Sequence, residues 1–162
     1  MNMHYFKHIL FLMFTGLAAC AQNTDLDKEV KKLYKNTVPV ARNAQVSTNV
    51  IVLDTREKAE FDVSHLPRAR WVGYDDFDLK RVANISKKDT IIVYCSIGYR
   101  SERVGEKLKK AGYTNVYNLY GGIFNWKNTN GVVVNSTNDT TEKVHCYSKS
   151  WSRFLTKGQK VY

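Results

Sequence analysis

A run of apolar residues stops abruptly at a cysteine near the middle of this chain. Thr90-Ile91-Ile92-Val93-Tyr94 shows no polar alternation, and Cys95-Ser96-Ile97-Gly98-Tyr99-Arg100-Ser101 follows it directly. A strand without alternation is covered on both faces, as in a parallel sheet between helix layers. The next stretch, Ser101 to Ala111, reads as a helix. Val104, Leu108 and Ala111 share one face, Glu102, Arg103, Glu106, Lys107 and Lys109 cover the other, and Gly112 is placed to cap it. Strand, short glycine-containing loop and helix start put Cys95 where backbone N–H groups converge and the helix dipole favours negative charge. The thiolate is the nucleophilic form of cysteine, and such surroundings favour it. Arg100 adds a fixed cation with a fork of donors suited to an oxyanion. The loop is therefore predicted to hold an anion against a nucleophilic sulfur.

Two more apolar runs, Asn49 to Leu53 and Asn115 to Tyr120, read as strands, and Ala69 to Val72 as a short one. Helices are predicted from Asp25 (Leu26, Val30 and Leu33 on one face), over Glu57 to Asp62, over Asp75 to Ile85 with Phe77, Leu79 and Val82 inward, and from Ile123 to Lys127. Strands alternating with helices argue for an α/β fold with a central, mostly parallel sheet flanked by helices in three layers. The loop then lies at the carboxyl end of a strand, where open α/β sheets place ligands. Asp54, Arg56 and Glu60 are close enough in sequence to form an ion-pair clamp of structural character. His65, in the turn Ser64-His65-Leu66-Pro67, is expected to be a structural hydrogen-bonder. Tyr147, Trp151, Phe154 and Leu155 recur at helical spacing among basic residues, so 136–162 is read as a basic, aromatic, helical tail docked on a domain spanning 25–135. No Cys/His grouping has metal-ligand spacing, and no cofactor is implied.

The first residues set the compartment. His4, Lys7 and His8 precede the apolar stretch from Ile9, which is too short for a transmembrane span. Leu17-Ala18-Ala19-Cys20 then resembles the lipobox of bacterial lipoproteins, in which the cysteine is acylated and becomes the first residue after cleavage. That resemblance implies a signal peptide over 1–19, lipidation at Cys20, a tether over 20–24, and a cell-envelope protein anchored to a membrane and facing outside the cytoplasm. Cys95 and Cys146 would then be the remaining thiols, in a compartment where disulfides are possible; their pairing stays open. The net charge of +10 fits a solvated basic surface, an anionic lipid or a small anionic substrate. Nucleic acid is not an expected partner.

From about Asn49 to Val134 the pattern resembles the single-domain rhodanese-like family. Leu53-Asp54-Thr55-Arg56 with Glu60-Phe61 is similar to its first strand and clamp. His65-Leu66-Pro67 with Ala69 is similar to its turn, with Ser64 and Arg68 where the family usually has glycines. Cys95 to Ser101 matches the active loop, and Gly121-Gly122 with Trp126 the closing turn and helix. The resemblance implies a sulfurtransferase without a cofactor. Cys95 would attack a small sulfur-containing anion such as thiosulfate, become a persulfide, and pass the outer sulfur to a thiol or cyanide. Arg100 would orient the donor, and Ser96, Ile97, Gly98, Tyr99 and Ser101 would supply backbone N–H groups. Cysteine phosphatases place five residues between Cys and Arg; here there are four, Ser96 to Tyr99, a smaller cradle. The alternative is a membrane-anchored binding or redox module of the same family, without turnover.

Overall fold

The computed structural model of the chain describes residues 24–162. The expected signal peptide, Cys20 and nearly all of the tether lie outside the described residues. Five strands form the main sheet: β1 (Val40–Ala41), β2 (Ile51–Asp54), β3 (Arg70–Trp71), β4 (Thr90–Tyr94) and β5 (Asn115–Leu119), in the order β1-β5-β4-β2-β3. Every neighbouring pair is parallel. The helices are α1 (Thr24–Leu33), α2 (Lys58–Val63), α3 (Tyr99–Lys110) and α4 (Gly122–Asn128).

The apolar run before Cys95 is the middle of this sheet. Strand side chains alternate between faces. Ile92 and Tyr94 enter a core shared with Leu26 and Val30 of α1 and Ile123 and Phe124 of α4. Ile91 and Val93 enter a second core, shared with Val104 and Leu108 of α3. The two clusters give three layers, and each fully buried aliphatic side chain contributes about 1.5–3 kcal/mol. At the ends of α1, Asp25 and Asp27 sit in the first turn and Lys31 and Lys32 in the last, each favourable to the dipole by about 0.3–1 kcal/mol.

Two sequence expectations need correction. Asp75 to Ile85 is not an α-helix; only a 3-10 turn, Leu79–Val82, forms there. Asp78 caps it by accepting from the Lys80 N–H (2.9 Å), and Arg81 pairs with Asp76 (2.7 Å), so local side chains satisfy the segment without a longer helix. Val82 is buried as expected and Phe77 is partly buried, but Leu79 is 43% exposed rather than inward. The tail is not helical either. After the antiparallel pair β6 (Val133–Val134) and β7 (Thr140–Thr141), strand β8 (Lys143–His145) pairs in parallel with β9 (Gln159–Val161). Between them lies a 3-10 turn, Trp151–Phe154. Tyr147 and Gly158 adopt left-handed backbone (φ 64° and 94°), which breaks any continuous helix. The helical spacing reflects this single turn. Val144, Cys146, Phe154 and Leu155 are buried in the α1/α4 core, so residues 136–162 pack on the domain as an irregular strap.

The turn at Ser64–Arg68 shows how the missing family glycines are tolerated. Ser64 is extended (φ −171°), a conformation open to any residue. Arg68 sits in left-handed backbone (φ 63°), where its guanidinium donates to the Ser47 and Thr48 carbonyls (3.1 and 3.3 Å). His65 is structural, as expected: its Nδ1 lies 3.0 Å from the Phe61 carbonyl and its ring stacks on Phe61 at 3.8 Å.

Candidate functional site

The loops after β2, β3 and β4 meet at the carboxyl end of the sheet. They enclose a cleft of about 610 Å³ with Cys95, Ser96 and Ile97 among its lining residues. The loop turns sharply because Gly98 takes φ 104°, and the Gly98 N–H donates to Cys95 Sγ at 3.1 Å. A sulfur that accepts a backbone N–H beside a helix start faces the positive ends of backbone dipoles. The first N–H groups of α3 have no intrahelical acceptor and add to that field. Behind the loop, Ile123 and Phe124 N–H groups donate to the Cys95 and Ser96 carbonyls (2.9 and 3.1 Å). Gly122 makes this approach possible: a Cβ there would lie 2.2 Å from the Cys95 carbonyl oxygen.

The expected clamp divides into two. Asp54 accepts from Arg56 Nε and Nη2 (3.0 and 2.6 Å), and Arg56 Nη2 also donates to the Ser64 carbonyl (2.6 Å). That fully buried pair fixes the turn after α2 to the end of β2. Glu60, grouped with it from the sequence, makes its hydrogen-bonded ion pair with Arg100 instead. Arg100 Nη1 and Nη2 donate to the two Glu60 carboxylate oxygens at 2.7 and 2.8 Å, and Nη2 also reaches Ser96 Oγ (3.1 Å). Ser96 Oγ donates to Glu60 (3.2 Å), and the Glu57 N–H to its other oxygen (3.0 Å). Burial alone would raise the Glu60 carboxyl, but Arg100 and then Arg56 hold it below the usual carboxylate range. Burial opposes the Arg100 charge too, and the Glu60 carboxylate and the Cys95 sulfur outweigh it, so the guanidinium stays charged. Arg100, expected to point at a donor, is thus a strut between α3 and α2.

The other loop residues have definite places. Ile97 is buried and its carbonyl accepts from the Tyr34 hydroxyl (2.9 Å). Tyr99 is 41% exposed at the cleft, with the Arg103 guanidinium 4.8 Å from its ring centre. Ser101 is buried and its Oγ donates to Asn118 Oδ1 (2.7 Å), while Asn118 Nδ2 donates to the Gly98 carbonyl (2.9 Å). Cys95 and Cys146 are both buried free thiols.

Several residues at the site carried no functional signal in the sequence. Tyr34, just past α1, bridges the loop and the turn after β5: besides Ile97, its oxygen accepts the Gly121 N–H (3.1 Å). Burial pushes its hydroxyl far above the ordinary value, so it remains a donor. Gly98 must be glycine here, since a Cβ would fall 1.7 Å from the Tyr34 oxygen. Tyr34→Phe removes the hydroxyl donor shared by the Ile97 and Leu119 carbonyls and strands the Gly121 N–H. It should lower unfolding free energy by about 2 kcal/mol in urea titration. A change under about 0.5 kcal/mol would show that the hydroxyl does not brace the loop. The cleft is completed by Glu57, Tyr74 and Asp75, by Leu33 of α1, and by Tyr147 and Trp151 of the strap. The Tyr147 ring lies 5.1 Å from the Arg100 guanidinium. The Tyr147 N–H donates to His145 Nδ1 (3.0 Å), which fixes that tight turn.

A central parallel sheet between helix layers, with a cysteine loop at the carboxyl end of its middle strand, defines a three-layer α/β domain with a thiol lining its cleft. The sequence model of the rhodanese-like domain matches residues 37–129, and the chain belongs to that family. It is 35% identical over 83 residues to a tRNA uridine(34) hydroxylase of Aster yellows witches'-broom phytoplasma, covering 48% of this chain and 27% of that protein. It is 34% identical over 83 residues to the adenylyltransferase and sulfurtransferase UBA4 of Candida albicans, covering 47% of this chain and 19% of that one. The chain thus matches well under half the length of these relatives. A crystal structure of a Bacillus halodurans protein superimposes with a TM-score of 0.56 at 24% identity, covering 70% of this chain and 86% of the other, which shows the shared fold.

Proposed function

We propose that this protein is a sulfurtransferase that carries sulfane sulfur on Cys95. The observation that carries the proposal is the Cys95 thiol, lining a cleft and accepting the Gly98 N–H at a helix start. With thiosulfate as donor, the Cys95 thiolate attacks the outer sulfur. The new S–S bond forms as the old one breaks, sulfite leaves with the bonding pair, and Cys95 becomes an anionic persulfide. The loop N–H groups that favour the thiolate also favour this anion. A thiolate or cyanide then takes the outer sulfur and returns the Cys95 thiolate. Membership of the rhodanese-like family and the relative named a sulfurtransferase support the reading. The full chain in mild detergent, given a sulfane-sulfur donor and cyanide, should form thiocyanate in proportion to protein. A rate indistinguishable from the protein-free control with inorganic and organic donors alike would overturn it.

We also propose that Cys20 is lipidated and anchors the domain in the cell envelope, which the Leu17–Cys20 motif supports. Expression in a bacterial host should give a membrane-fraction protein whose mass includes acyl groups, and Cys20→Ser should abolish that mass. A soluble, unacylated wild-type chain would contradict the anchor.

A further inference from the structure

We propose that the Cys95 cleft takes its sulfur from an organic persulfide bearing an aliphatic ammonium group rather than from a small inorganic dianion; this rests on the sulfurtransferase reading above. The charge lining the cleft opposes the charge of the chain. The protein carries a net +10, yet among the described residues Arg100 is the one cation lining the cleft. Both ends of its guanidinium fork are spent on Glu60, and the Tyr147 ring stands 5.1 Å from its centre. Glu57 and Asp75 line the same cleft. Glu60 pairs with Arg100, and Glu57 and Asp75 leave the lining with an excess of carboxylates over cations. A dianion entering here meets like charge, whereas an ammonium group meets its complement.

The walls fit an organic donor. Leu33, Tyr74, Tyr99, Tyr147 and Trp151 line the cleft, and this apolar and aromatic lining suits the aliphatic stem of an organic donor whose ammonium is drawn to Glu57 and Asp75. Its volume, about 610 Å³, lies within the range of ordinary small-molecule sites and far exceeds the few heavy atoms of thiosulfate. Burial and the neighbouring Asp75 carboxylate push the Glu57 carboxyl up, so an incoming cation would relieve a repulsion already present.

The chemistry balances without a further reagent. The Cys95 thiolate attacks the terminal sulfur of R–S–SH, which keeps its proton. The donor S–S bond breaks, R–S⁻ leaves with the electron pair, and the Cys95 sulfur gains the terminal SH to become S–SH. Cys95 is oxidised to the persulfide level and the donor is reduced to its thiol.

Two donors that differ in charge test the proposal: 2-aminoethyl hydropersulfide and 2-carboxyethyl hydropersulfide, with thiosulfate as a third. Cys95 loading on the full chain is followed by quenched-flow intact mass, each rate divided by that of the same donor with free cysteine. The amino donor should load about tenfold faster than the carboxy donor. Glu57→Gln with Asp75→Asn should bring the two rates close to equal, and added salt should narrow the gap in unmodified protein. Equal or reversed rates in the unmodified protein, or a gap that survives both salt and the double variant, would overturn the donor assignment while leaving Cys95 loading in place. No loading by any of the three would instead overturn the sulfurtransferase reading beneath it.

Discussion

Glu60→Gln is expected to lower unfolding free energy by about 3 kcal/mol, because it leaves the largely buried Arg100 charge without its counter-ion. The Arg100 side chain is 13% exposed and that of Glu60 2%. Removing one partner of a buried pair strands the other, and such losses run to about 3–5 kcal/mol. Gln keeps the shape and can still accept from the Glu57 N–H, which places the expected loss at the lower end. In a thermal melt it corresponds to a fall of about 10 °C. The same pair sets an acid limit. Glu60 titrates lower in the folded protein than in the unfolded chain, so its contribution is complete above about pH 4.3 and is lost as pH falls through the depressed native value. Glu60→Gln should flatten the acid limb of a stability–pH profile. A variant within about 0.5 kcal/mol of the parent at neutral pH, with an unchanged acid limb, would show that the Arg100 strut holds nothing.

Cys95→Ser is expected to abolish sulfur transfer, by at least about a thousandfold, while changing stability little. A serine hydroxyl is a poor nucleophile without an activating base, whereas a thiolate is intrinsically reactive. Cys95 is 1% exposed and its sulfur accepts from the Gly98 N–H, which a hydroxyl oxygen can also do. A urea titration should place the variant within about 1 kcal/mol of the parent. Near-normal turnover in Cys95→Ser would move the chemistry elsewhere. Cys146 is a poor candidate: it is fully buried, and that burial raises its thiol.

Much of this site was legible because its chemistry is local. The uninterrupted apolar run of β4, the cysteine, the glycine and the helix after it sit on adjacent residues, and they place Cys95 correctly at the end of a parallel strand. What decides the character of the site is not local. Arg100 meets Glu60 from 40 positions away, so a cation that reads as a free anion binder turns out to be paired. Tyr34 reaches the loop from just past α1 across 63 positions, and Asn118 braces it from β5. The strap misled for a similar reason. Tyr147, Trp151, Phe154 and Leu155 share a helical period, but pairing of β8 with β9 and the left-handed turns at Tyr147 and Gly158 override it. Its function of closing the cleft with two aromatic rings follows only from where β8 docks. Asp75 to Ile85 shows the same competition on a smaller scale, with the Asp78 cap and the Asp76–Arg81 pair stabilising a short 3-10 turn.

Intact mass reads sulfur loading at Cys95 directly. The reduced full chain is incubated with thiosulfate or an organic hydropersulfide, freed of donor and weighed, then treated with cyanide and weighed again. The expected result is a gain of one sulfur atom that cyanide removes as thiocyanate, absent in Cys95→Ser. An unchanged mass with every donor, or a gain that persists in Cys95→Ser, would contradict it.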